Sequence, residues 1–138
     1  MEETSLLLEV LQSKKKYEEV VASDPMFINS TLSEYLSDLI KTKDLKKAEV
    51  ILESGLERTY AYQIFSGKKT PARDKLLALA IGMKLTFDEV QNLLKVNGYA
   101  QLYPKHKRDN IIIFAFYKGQ NMWDLNDNLY AMGEELIL

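Results

Sequence analysis

One run of seven residues, Ile111 to Tyr117, is the strongest strand candidate in the chain, yet no second strand exists for it to pair with. A lone buried strand would strand its own backbone donors and acceptors. The polar stretch Lys105–Asn110 before it is helix-compatible, so about 105–118 reads as a buried helix. Without a sheet, the chain is expected to be all-α. Six Gly and three Pro in 138 residues leave room for the long uninterrupted stretches this requires.

The other helices follow from periodicity and punctuation. Residues 4–22 set Leu6, Leu7, Val10, Leu11, Tyr17, Val20 and Val21 largely on one face, and Ser23-Asp24-Pro25 ends that helix. Thr31 with Glu34 three residues on is a capping-box arrangement, opening a helix striped by Leu32, Tyr35, Leu36, Leu39 and Ile40. A short helix over about 46–54 ends at Gly55, and another runs from Arg58 to about Phe65, closing at Ser66-Gly67. Pro71 is suited to open the next, which holds Leu76, Leu77, Leu79, Ala80 and Ile81 and ends near Gly82. Thr86 caps a helix with Val90, Leu93 and Leu94 inward, and Asn121 caps a last one. Trp123, Met122 and Tyr130 read as a satellite of the core, with a protein contact as the alternative. Asp124, Asp127, Glu134 and Glu135 lack the spacing of a calcium loop and read as a solvated acidic end.

Composition removes whole classes of chemistry. No Cys excludes a disulfide scaffold, a zinc ribbon and thiol catalysis, and His106 alone cannot build a multi-His metal site. There is no Gly-rich phosphate loop and no Ser-His-Asp arrangement, so neither an enzyme nor a cofactor or metal site is expected. No apolar run approaches the ~18 residues of a membrane span, and the N-terminus lacks a secretory pattern, which points to a cytoplasmic protein. The net charge of −2 argues against a strongly basic nucleic-acid binder, but it is an average. Residues 41–75 hold nine bases against five acids, while residues 1–30 sum to −3 and residues 119–138 carry four acids and no base.

The positive centre coincides with the most informative motif. In residues 45–71, LKKAEVILESGLERTYAYQIFSGKKTP, a short helix, a Gly-containing turn and a second short helix form a helix-turn-helix. On Lys47-Ala48-x-Val50, Gly55-Leu56-x-Arg58-Thr59-Tyr60, Gln63-Ile64 and Gly67-x-x-x-Pro71, the segment from about 31 to 96 resembles the DNA-binding domain of phage repressors and Cro, the XRE family. The resemblance implies a five-helix repressor-like domain at 30–97, preceded by an N-terminal helix and link (1–29) and followed by a two-helix extension (98–138).

It also implies roles for single residues. Arg58, Thr59, Tyr60 and Gln63 would face base edges, Arg as a fork on guanine and Gln on adenine. Lys46, Lys47, Lys68, Lys69 and Arg73 would hold phosphates. Lys105-His106-Lys107-Arg108 reads as a second phosphate contact or as the solvated start of a helix. Three positions depart from the family. Glu57 stands where the recognition-helix cap is usually Ser or Thr, and its charge would repel phosphate. Ile51 and Ala61 exchange the family's small and β-branched residues, as though volume were traded across the helix pair. The expected function is a sequence-specific regulator of bacterial or phage type, binding double-stranded DNA as a homodimer. The alternative is an XRE-like interaction module, antitoxin or adaptor that meets a protein partner through its terminal helices.

Overall fold

The computed structural model describes residues 31–138, and the amphipathic segment 4–22 lies outside them. Seven α-helices, and among the described residues no strand, make up the fold. They are α1 (Leu32–Thr42), α2 (Lys47–Ser54), α3 (Arg58–Ser66), α4 (Arg73–Gly82), α5 (Phe87–Val96), α6 (Lys107–Lys118) and α7 (Met122–Ala131). The run Ile111–Tyr117 is thus helical, inside α6. Thr31 caps α1 by accepting the Glu34 amide at 3.3 Å, while the complete two-way capping box is found at Thr86 and Glu89. Pro71 does not open α4. It lies before the N-cap Ala72, buried, and its carbonyl accepts the Tyr99 hydroxyl at 2.6 Å.

The core is organised around α4, in which every residue from Leu76 to Gly82 is buried. A helix apolar all round must be covered all round. On one side α2 packs so closely that a Cβ on Gly82 would strike the Val50 carbonyl, so glycine is what lets the two backbones meet. Ile51 and Ala61, the two exchanged residues, are both buried in this core. Gly55, with φ +74°, makes the left-handed turn between α2 and α3 that a side chain would strain.

Helices α6 and α7 pack on each other, and α7 also reaches α4. Each buries one stripe: Asp109, Ile112, Ile113 and Phe116 of α6, and Met122, Leu125 and Leu129 of α7. Phe114 and Tyr117 fall on the reverse face of α6 and stay exposed, Tyr117 stacking on Phe87 with ring centroids 5.2 Å apart. Trp123 and Tyr130 likewise lie opposite the buried stripe of α7, 80% and 79% exposed, so only Met122 of the expected core satellite is buried. After α7 the chain returns along it. Ile137 is buried, its amide donating to Asn126 Oδ1 at 2.9 Å, and Leu138 closes on Gly55.

The basic start of α6 holds this return in place. Lys107 Nζ donates to the Met132 carbonyl at 2.7 Å, and Arg108 donates to the carbonyls of Glu135 (3.0 Å) and Leu136 (3.2 Å). Arg108 also grips Asp74 of α4 with both terminal nitrogens at 2.9 Å. Cations at a helix N-terminus are slightly unfavourable. Here Arg108 is neither simply solvated nor free for phosphate, while Lys107 spends one bond on this return and stays exposed. They hold the C-terminal strap and α4.

Candidate nucleic-acid interface

The turn at Gly55 sets the mutual angle of α2 and α3, and Glu57 then fixes the first turn of α3. Its carboxylate accepts the Tyr60 amide at 2.7 Å and the Thr59 amide at 3.0 Å. Those two bonds hold the Glu57 pKa below the usual carboxylate range. The acid that looked out of place in the sequence is therefore the cap of the helix, one oxygen for each of two orphan donors.

At the other end, the Gln63 carbonyl gathers the amides of Lys68 (2.9 Å) and Lys69 (3.2 Å) and the Ser66 hydroxyl (3.1 Å). The Lys68-Lys69 loop is thereby tied to the last turn of α3. Between these ends lies a shallow, open depression. Lys47, Arg58, Thr59, Gln63 and Lys68 all line it, with Tyr62, Phe65 and Ser66 between them.

Two of its cations rest on rings. Lys47 Nζ stands 5.1 Å from the Phe65 ring centroid, and the Arg58 guanidinium lies 5.7 Å from that of Tyr62. Each ring orients its cation without neutralising it. Among the described residues, none of Lys46, Lys47, Arg58, Lys68 and Lys69 has an acidic partner within ion-pair distance. Lys46, the N-cap residue of α2, and Lys69 are exposed beside this surface.

Two candidates lie elsewhere. Tyr60 is half-buried against the core and near Tyr99, whose pKa is raised first by burial and then by the Tyr60 charge. Arg73 is engaged within the protein. Its Nε donates to the Ala100 carbonyl at 2.9 Å, and its terminal nitrogens meet Asp109 at 3.1 and 3.0 Å and the Gln101 carbonyl at 3.0 Å. Asp109, itself buried, also accepts the Tyr103 amide at 2.9 Å. Burial pushes the Asp109 pKa up, but the Arg73 bond, the Tyr103 amide and the nearby cations more than offset it, leaving the value lowered. Four of the five N–H donors of this guanidinium go to protein acceptors and its charge is paired, which leaves little for a phosphate. Lys43, another of the central bases, pairs with Glu89 at 2.9 Å.

Sequence reasoning did not pick Tyr62 or Phe65 as parts of this surface. The signal was available for Tyr62, four residues from Arg58 on the same helix, but not for Phe65, which meets Lys47 across the helix pair from eighteen positions away. No family model, curated protein or solved structure matches this chain.

Proposed function

We propose that this chain is an XRE-type transcriptional regulator that binds double-stranded DNA sequence-specifically as a homodimer. In this reading α1–α5 form the repressor-like domain and α3 enters the major groove. Arg58, Thr59 and Gln63 read base edges, and Lys46, Lys47, Lys68 and Lys69 hold phosphates. Arg73 is assigned instead to the ion pair that joins α4 to α6, and Tyr60 to packing.

The observation that carries the reading is the convergence of Lys47, Arg58, Thr59, Gln63 and Lys68 on one open depression. Bases gathered on an accessible face, with no acidic partner among the described residues, fit the electrostatic footprint of a duplex binder. The overall charge of −2 does not oppose this, because the acids are concentrated in other segments.

Selection from a pool of random duplex DNA tests it, with the Arg58→Ala chain run in parallel. An enriched, two-fold symmetric site is expected for the natural chain, with discrimination relaxed in Arg58→Ala by ~1–3 kcal/mol at one position of each half-site. No enriched site, and no difference between the two proteins, would overturn the proposal.

A further inference from the structure

A second surface, built from α2, the Gly55 turn and α7, has the opposite character. Leu52 points outward on α2 and is 81% exposed, and Trp123 on α7 is 80% exposed. Together with Met122, Gly55 and Leu138 they line an open cleft of about 570 Å³. Large apolar side chains grouped on one face mark a place where something binds. The acid Glu53 lines the cleft, and α7, which contributes Trp123, carries Asp124 and Asp127 and no base. Among the described residues no Lys or Arg lines it.

Charge decides among the occupants. A second copy seated on the same face would bring residues 119–138, with four acids and no base, against themselves. Residues 1–30 carry −3 and share that sign. A duplex is repelled for the same reason. A segment with apolar side chains on one side and Lys or Arg on the other satisfies both the cleft and its charge.

We infer that the Leu52–Trp123–Leu138 cleft is a docking site for a basic amphipathic segment of another protein, held as a helix in a groove. The inference rests on this cleft alone and stands whether or not α3 binds DNA. Its apolar floor supplies the anchor, and Glu53 together with the negative charge of α7 orients the cationic side of the ligand and excludes acidic competitors.

Trp123 is the single Trp of the chain and reports on its own site. The full chain is titrated with three synthetic helical peptides that carry Leu and Lys, Leu and Glu, or Ser and Lys at the same positions. Saturable binding of the Leu/Lys peptide alone is expected, with a blue shift of Trp123 emission and an affinity that falls as salt rises. By calorimetry, Leu52→Ser and Trp123→Ala should each weaken it about tenfold or more, whereas Arg58→Ala should leave it unchanged. Failure of the Leu/Lys peptide to bind, or equal binding of the Leu/Glu peptide, would overturn the inference. So would protection of Trp123 from acrylamide quenching in the free chain, which would mean that its own residues cover the cleft. A dimer in sedimentation that Leu52→Ser dissociates would assign the face to a second copy and overturn it too.

Discussion

Arg58 and Arg73 are fifteen positions apart and were assigned to the same duplex by sequence, but the fold treats them in opposite ways. Arg58 lies over the Tyr62 ring at the edge of an open depression, with no acid paired to it among the described residues. Arg73 meets a buried carboxylate and two backbone carbonyls. One is oriented and available, whereas the other is paired and largely engaged. The difference arises from the partner across the contact rather than from the residue itself. Arg58 faces outward from α3, while Arg73 and Asp74 at the start of α4 meet Asp109 and Arg108 at the start of α6 in a crossed double pair. The segment proposed as the DNA-binding unit is here joined to α6 by ion pairs.

The largest expected effect tests the paired side. Asp109→Ala removes one partner of a pair whose carboxylate side chain is 8% exposed and whose guanidinium is 25% exposed. A loss of ~3 kcal/mol in urea unfolding is expected, the low end for stripping a buried pair because Arg73 keeps some contact with water. Acid probes the same group. The folded-state pKa of Asp109 lies below its unfolded value near ~3.9. Its contribution is therefore complete above that value and lost as pH falls below ~4 through the folded value. The Asp109→Ala chain should lack this part of the acid limb. A loss under ~0.5 kcal/mol would make the crossed pair ornamental and erase the contrast with Arg58.

Next in size is the reciprocal test on the available side. Arg58→Ala is expected to change stability by less than ~0.5 kcal/mol, as for an exposed residue, while costing ~1–3 kcal/mol of base discrimination. Measuring both in one protein separates the two classes of arginine. If Arg58→Ala unfolds the domain instead, its contact with Tyr62 is structural and the distinction fails.

Much of this was legible beforehand, and the reason lies in how far each determinant reaches along the chain. Caps are local, so Thr31, Thr86 and Asn121 announced helix starts through a partner three residues away. The identity of α6 was legible by elimination, since Ile111–Tyr117 had no strand to join. What was not legible depends on contacts across long sequence gaps. Arg73 and Asp109 are 36 residues apart, and nothing near Arg73 signals the carboxylate that claims it. The one hint was the basic cluster at the start of α6, unfavourable for a helix N-terminus unless acids and carbonyls meet it. Trp123 and Tyr130 were misjudged for a different reason. Their bulk suggested burial, but Met122, Leu125 and Leu129 already fill the inward stripe of α7.

A smaller effect separates phosphate contact from base reading. Lys47→Ala should weaken all duplexes about equally and flatten the plot of log affinity against log salt by ~1 unit, with stability nearly unchanged. Arg73→Ala should not reproduce this signature. Its loss appears as easier unfolding, and the salt slope measured on the folded fraction stays where it was. An equal flattening in both variants would return Arg73 to the phosphate contacts and undo its assignment to the α4–α6 joint.

The smallest expected effect concerns Glu57, which belongs to both sides of the comparison. As a cap it is saturated, each oxygen taking one amide of α3. As a charge it is exposed beside Arg58, where it opposes phosphate. Glu57→Gln keeps one acceptor and removes the charge, so a slight loss of stability is expected together with a gain in duplex affinity. The lowered folded pKa sets the pH window. The stabilising charge of Glu57 is present above its unfolded value near ~4.3 and is lost only as pH falls through the lower folded value. The affinity advantage of Gln should therefore hold steady between pH 7 and 5, as measured by fluorescence anisotropy at fixed salt, and shrink only under stronger acid. An affinity unchanged by Glu57→Gln would mean that no phosphate comes near the start of α3. The open depression would then need a ligand other than DNA.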